Sequence, residues 1–258
     1  MDNLFSIEGK VALVTGGTNG IGLMIATGFV KAGAKVYVAS RKAEACEATA
    51  KALSEFGTCI GIPADLSTEE GCVALADTIK EKEGKLNILV NNAGATWGAP
   101  IDQYPDKAWD RILNLNVKGV FHLTKQLLPI LKEAGSGEDP ARVINISSVA
   151  GQLTGSMQAY AYGPSKAAVN QLTRTLANEL AAHSITVNAI APGFFPSKMT
   201  DYILVDDEAE KNLGATMPLK RIGKPEDMQG LSIFLCSQAG SYITGTIIPL
   251  DGGSLVKG

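Results

Sequence analysis

Short, uninterrupted apolar runs set between longer helical patterns constrain this chain more than any other feature. Lys10-Val11-Ala12-Leu13-Val14-Thr15 is one such run and Lys35-Val36-Tyr37-Val38-Ala39 is the next. A strand with one wet face alternates polar and apolar residues, whereas a strand apolar throughout must be covered on both faces. That is the situation of a parallel sheet sandwiched between helices. Further runs of this kind lie at 59–63, 86–90, 143–147, 186–191 and 246–250. Between the first two, Ile21, Met24, Ile25, Gly28 and Phe29 recur at helical spacing until Gly33 stops the helix. Helical patterns fill the other gaps near 42–56, 69–83, 106–133, 158–182 and 225–236. The fold class is therefore α/β: a doubly wound parallel sheet of about seven strands with helices on both faces.

No composition break or internal repeat divides the 258 residues, so 1–258 reads as a single domain. Two stretches interrupt the rhythm. Residues 133–140 form a solvated turn. Residues 196–218 are long, mixed in polarity and carry Met199, Tyr202, Ile203, Leu204 and Met217 beside the acidic run Asp206-Asp207-Glu208. Connections of that length in a compact domain are often binding loops, and this one is expected to be the substrate-binding loop. Lys and Arg number 23 against 26 Asp and Glu, a net charge of -3. This leaves no basic face for nucleic acid. No apolar run reaches the roughly 18 residues of a membrane span, and Met1-Asp2-Asn3-Leu4-Phe5 has no signal-peptide pattern. A soluble, cytoplasmic protein is expected. Cys46, Cys59, Cys72 and Cys236 form no CxxC pair, and His122 and His183 have no partner at ligand spacing, so no metal is expected.

The first strand runs into Thr15-Gly16-Gly17-Thr18-Asn19-Gly20-Ile21-Gly22, which opens the first helix. Strand, glycine turn and helix N-terminus together make an anion site: glycines let the backbone approach a pyrophosphate and the helix end offers free N–H groups. The spacing is GxxxGxG, at Gly16, Gly20 and Gly22, and not the familiar GxGxxG. That variant, followed by Asn91-Asn92-Ala93-Gly94 after the fourth strand, resembles the short-chain dehydrogenase/reductase family. The likeness extends along the chain through Asp65, Asn116, Ser147-Ser148, Tyr162-x-x-x-Lys166, Pro192-Gly193 and Asp251-Gly252-Gly253. It implies a single Rossmann-type dinucleotide-binding and catalytic domain.

An acid usually closes the second strand of NAD-binding folds, where it bonds the ribose 2′-hydroxyl. This chain has Ser40-Arg41-Lys42 there. A guanidinium suits the 2′-phosphate instead, so the cofactor is expected to be NADPH/NADP+. Gly16, Thr18, Asn19, Gly20, Ile21, Gly22, Ser40 and Arg41 are its expected contacts. By family resemblance Asp65 bonds the adenine amino group, Leu66 packs beside that ring, and Asn92, Ala93 and Gly94 follow along the cofactor. Pro192, Gly193, Phe195 and Ser197 match the turn over the nicotinamide, with serine in place of the usual threonine.

Tyr162 and Lys166 stand four residues apart, on one helix face. Reducing a ketone builds negative charge on oxygen, and a tyrosine can supply the proton. A free phenol has a pKa of about 10, and a nearby ammonium, together with the positive nicotinamide of the oxidised cofactor, is expected to lower it. The resemblance implies that Lys166 also holds the nicotinamide ribose, that Ser148 orients the substrate carbonyl, and that Asn116 keeps a water in a proton path to Lys166. Tyr160 lacks such a partner, since its fourth successor is Pro164.

The expected activity is NADPH-dependent reduction of a ketone to a secondary alcohol. Within the family the chain is most similar to 3-oxoacyl reductases of the branch linked to rhamnolipid-type synthesis, through Trp97-Gly98, residues 159–166 and Ala191-Pro192-Gly193. A 3-oxoacyl thioester-like or other apolar carbonyl compound is the implied substrate, with Trp97 and Phe194 completing an apolar wall. A polyol, secondary-alcohol or secondary-metabolite carbonyl reductase is the alternative on the same scaffold, and a cofactor-sensing protein without turnover the alternative of another class. The resemblance also implies a homotetramer or homodimer.

Overall fold

The computed structural model describes residues 4–154, 158–197, 199–201 and 203–256. The chain alternates through β1 (Val11–Thr15), α1 (Gly20–Lys31), β2 (Lys35–Ser40), α2 (Ala43–Leu53), β3 (Cys59–Pro63) and α3 (Glu69–Lys82). It continues through β4 (Ile88–Asn91), α4 (Asp106–Leu113), α5 (Gly119–Ala134), β5 (Ala141–Ile146), α6 (Tyr162–Leu180) and β6 (Ile185–Pro192). The last elements are α7 (Asp207–Ala215), α8 (Pro225–Cys236) and β7 (Ile247–Leu250).

The strands form one seven-stranded sheet in the order β3-β2-β1-β4-β5-β6-β7, with every neighbouring pair parallel. Successive residues of each strand face opposite layers, which is why the runs are apolar throughout. Leu13, Leu89, Val143 and Val187 pack under α3, α5 and α6. Ala12, Val14, Val36, Val38, Ile88, Val90, Ile144 and Ile146 pack under α1 and α8 on the other face. The chain leaves β1 toward β2 on one side and places β4 on the other. A crevice therefore opens between the C-terminal ends of β1 and β4, where such sheets bind ligands.

Two helical patterns differ from the sequence expectation. The stretch 106–133 is not one regular helix: a π turn at Asn114–Lys118 separates α4 from α5. Residues 158–161 precede α6, because the helix starts at Tyr162 and carries Pro164 in its first turn, where the missing N–H costs nothing. Inside 196–218 a helix forms where a loop is expected. Asp206 caps α7 by accepting from Ala209 N at 2.7 Å. Asp207, Glu208 and Glu210 sit in its first turn, complementing the helix dipole. The acidic run is thus a helix start. Tyr202 lies outside the described residues. Among the described residues no helix is long and apolar enough to cross a membrane, and no group of three or more His, Cys, Asp or Glu is gathered as a metal would require.

Candidate active site

The two turns that bound the crevice are tied together by one hydroxyl. Thr15 Oγ1 donates to Val90 O at 3.1 Å and accepts from Asn92 N at 2.9 Å and Ala93 N at 3.0 Å. The Asn92 side-chain amide donates back to Thr15 O at 2.8 Å and Gly16 O at 3.2 Å. This lattice holds the glycine turn open as a cradle. Gly16 and Gly20 adopt φ of +62° and +50°, which only glycine takes freely. A side chain on Gly22 would collide with Gly16 O, and one on Gly20 would lie 2.9 Å from Ser197 Cβ. No side chain among the described residues caps the N-terminus of α1 at Asn19. Its first-turn N–H groups thus face the cradle, the arrangement that receives a phosphate. A dinucleotide fits this floor.

The cleft above is lined by Gly16, Asn19, Gly20 and Ile21, by Asn92, Ala93 and Gly94, and by Ile146, Ser147 and Ser148. Tyr162, Lys166, Pro192, Gly193, Phe195, Ser197, Met199 and Thr200 complete it. Fourteen of the sequence-selected cofactor and catalytic residues therefore meet in one cleft. Thr18, Gly22, Ser40, Arg41, Asp65, Leu66 and Asn116 do not line it. Ser40 and Arg41 lie at the end of β2 and Asp65 just beyond β3, outside the cleft proper. Arg41 is exposed and acts on Asp65, whose carboxyl is held below its ordinary value chiefly by the Ser67 N–H and hydroxyl. Leu66 departs from expectation. It is 6% exposed and packs into the core with Leu75 and Leu123, so its side chain has no free face for a ring.

At the catalytic end, α6 presents Tyr162 and Lys166 to the cleft. Lys166 is buried. Its Nζ donates to Ile146 O at 2.8 Å and lies 5.6 Å from the centre of the Tyr162 ring. Burial alone pushes the lysine down to about 8. Burial also pushes the Tyr162 phenol above its ordinary value, with the neighbouring Ser148 hydroxyl, by hydrogen bonding, working in the opposite direction. In the cofactor-free protein desolvation is the leading influence on the phenol, since the group has left water.

The two adjacent serines separate cleanly. Ser147 Oγ is buried and donates to Asn170 Oδ1 at 2.6 Å. Ser148 caps a short 3-10 turn, accepting from Ala150 N at 3.1 Å, and acts on Tyr162. Asn116 sits in the π turn, and its side chain is largely spent on the protein. Its Oδ1 accepts from Ala95 N at 2.8 Å, and its Nδ2 donates to Ala95 O and Ser165 Oγ, both at 3.0 Å. A gap separates it from the lysine. A side chain on Gly94 would lie 3.4 Å from Asn116 Oδ1 and 3.7 Å from Lys166 Nζ.

The apolar wall is redistributed. Met199 lines the cleft, but Phe194 and Met217 line a separate cavity behind it with Leu219, Ile222 and Leu250. Trp97 faces Arg111, whose guanidinium carbon is 5.8 Å from the ring centre. Tyr160 stands edge-on to Tyr104 at 5.2 Å. The residues that sequence reasoning missed are Ile146, which anchors Lys166, and Thr200. The Thr200 hydroxyl accepts from Ser197 N at 2.9 Å and donates to Phe195 O at 2.8 Å. Neither role has a local sequence signal.

Comparison with known proteins places this geometry. Residues 16–254 match the family model described as enoyl-(acyl carrier protein) reductase. The chain is 53% identical over 253 residues to a rhamnolipids biosynthesis 3-oxoacyl-[acyl-carrier-protein] reductase of Pseudomonas aeruginosa, covering 98% of this chain and 99% of that protein. A solved Pseudomonas aeruginosa RhlG/NADP active-site complex superposes with a TM-score of 0.95 at 52% identity, over 99% of this chain and 100% of that one. A short-chain type dehydrogenase/reductase from Mycobacterium marinum superposes with a TM-score of 0.88 at 32% identity, over 97% of each chain.

Proposed function

Because the chain belongs to the short-chain dehydrogenase/reductase family, we propose that it reduces a ketone to a secondary alcohol with NADPH, the ketone being a 3-oxoacyl thioester or a similarly apolar carbonyl compound. The observation that carries this reading is the convergence of Tyr162, Ser148 and Lys166 on the cleft floored by the glycine cradle. Likeness to the 3-oxoacyl reductase over nearly the whole of both chains supports the substrate class.

NADPH, when bound, supplies the hydride. The chain supplies the rest. Gly16, Asn19, Gly20 and Ile21 hold phosphate at the α1 N-terminus, with Thr18 and Gly22 shaping that turn. Ser40 and Arg41 read the 2′-phosphate, and Asp65 reads the adenine. Asn92, Ala93, Gly94, Pro192, Gly193, Phe195 and Ser197 seat the remainder of the cofactor. Ser148 holds the carbonyl oxygen of the substrate, and Tyr162 gives it a proton as it becomes an alkoxide. A phenol whose pKa is pushed up by burial stays neutral at physiological pH, and neutral is the form that reduction requires. Lys166 remains largely protonated at neutral pH and stabilises the tyrosinate left behind. Asn116 and Lys166, which come together beside Gly94, share a water in restoring the proton.

The segment 196–218 covers the substrate, with Met199 at the cleft. Copies of the chain associate as a tetramer or dimer through α5 and α6, where Phe121 is left 43% exposed. The cytoplasm is the compartment this reading assigns, in keeping with four free, buried cysteines. Loss of absorbance at the NADPH band with acetoacetyl and longer 3-oxoacyl thioesters, cyclic ketones and polyhydroxylated ketones tests the activity. Tyr162→Phe is expected to keep NADPH binding and to lose about 10²–10⁴-fold in kcat. Near wild-type turnover by that variant would assign the acid elsewhere.

A further inference from the structure

The Asp251-Gly252-Gly253 turn follows β7 and does not line the cleft, yet it joins three pieces of backbone beside it. Gly193 N donates to Leu250 O at 3.0 Å, and a side chain on Gly193 would lie 2.9 Å from Asp251 Cα. The turn is thus packed directly on the cleft-lining strand end. Its shape is set by one carboxylate. Asp251 Oδ1 accepts from Gly253 N at 2.9 Å, and Oδ2 accepts from Leu255 N at 2.7 Å and Ser254 Oγ at 3.0 Å. Gly252 and Gly253 then take φ of +62° and +89°, in the region that disfavours other residues.

The outer side of the turn grips the far end of 196–218. Leu219 N donates to Gly252 O at 3.1 Å. A side chain on Gly253 would come within 3.1 Å of both Cβ and Cγ of Pro218. The returning chain is then pinned a second time, where Gly223 N donates to Phe194 O at 2.9 Å. The departing leg carries the cleft residues Phe195, Ser197 and Met199, and the returning leg is held by Asp251-Gly252-Gly253.

We propose that the Asp251-Gly252-Gly253 turn is a positioning element for ketone binding: it fixes the returning leg of 196–218 and so sets where that segment stands over the cleft. This rests on the reading of 196–218 as the substrate-binding segment. The turn holds the returning leg through Pro218 and Leu219 and meets the cofactor side through Gly193, so its loss weakens the ketone far more than the cofactor.

The test uses Asp251→Asn and Gly253→Ala in the full chain, folded state checked by circular dichroism. Asn keeps one acceptor oxygen but its amide nitrogen cannot accept from Leu255 N or Ser254. Each variant is measured for NADPH affinity by cofactor fluorescence and for kcat and KM with a 3-oxoacyl thioester. Ketone KM is expected to rise roughly tenfold, with NADPH affinity within about twofold of wild type. Unchanged ketone KM in both variants, or a parallel loss of NADPH affinity, would overturn the proposal. If Gly253→Ala yields no folded protein, Asp251→Asn decides by the same readouts. Met199→Ala separates the proposal from its premise. If Met199→Ala alters ketone KM and the turn variants do not, only the anchoring role falls. If none of the three does, the assignment of 196–218 falls with it.

Discussion

Replacing Lys166 by methionine removes a buried charge while keeping most of the side chain's length. The structure gives the size of the effect. Burial takes Lys166 from an ordinary 10.5 to about 8, a shift that corresponds to about 3 kcal/mol of penalty on the folded protein at neutral pH. A lysine whose folded pKa lies below its unfolded value binds fewer protons when folded. Stability therefore rises with pH across the interval between the two values, and the penalty is fully present below the lower one. Methionine cannot titrate, so it carries no such penalty. It does strand Ile146 O, which loses its 2.8 Å donor; that costs about 1–3 kcal/mol but does not vary with pH. The informative quantity is the difference between wild-type and Lys166→Met stabilities, measured by urea unfolding of the cofactor-free protein from about pH 6 to about pH 9.5. It is expected to be flat below about pH 7 and to climb by about 2 kcal/mol in favour of wild type by about pH 9.5. Burial pushes the Tyr162 phenol up as well, which moves its titration away from this window. A flat difference across the whole range would show that the ammonium is solvated and that the electrostatic account of this site is wrong.

Arg41→Ala is expected to weaken NADPH roughly 10- to 100-fold, from the 1.5–3 kcal/mol typical of hydrogen bonds to charged groups, and to leave NADH nearly unchanged. Titration of both cofactors checks this, and equal weakening would dismiss Arg41 as the reader of the 2′-phosphate. With 3-oxoacyl thioesters of increasing length, kcat/KM should rise until the pocket fills, at up to roughly 0.8 kcal/mol per methylene. Met199→Ala should flatten that rise, since among the described residues Met199 is the apolar side chain of 196–218 that lines the cleft. A flat profile in wild type, or faster turnover of polyhydroxylated ketones, would remove the 3-oxoacyl substrate and leave the reductase.

Much of this protein is written in short stretches. The apolar runs placed each of the seven strands within a few residues, because a strand covered on both faces advertises itself locally. The glycine turn was legible for the same reason: conformational freedom and close backbone approach are properties of single positions, and Gly16, Gly20 and Gly22 stand where the cradle needs them. So was the pair Tyr162 and Lys166, since four residues make one helical turn. What tertiary structure alone decided is which way a side chain faces and how much water it keeps. Ser147 and Ser148 are neighbours with the same hydroxyl, and only the packing of β5 on α6 sends one to Asn170 and leaves the other beside Tyr162. Leu66 follows Asp65 but belongs to the core. The π turn that carries Asn116 arises where Ala95, from a distant loop, takes both ends of its amide. The phenol of the cofactor-free protein rises because desolvation depends on everything packed around it, and no four-residue spacing encodes that sum.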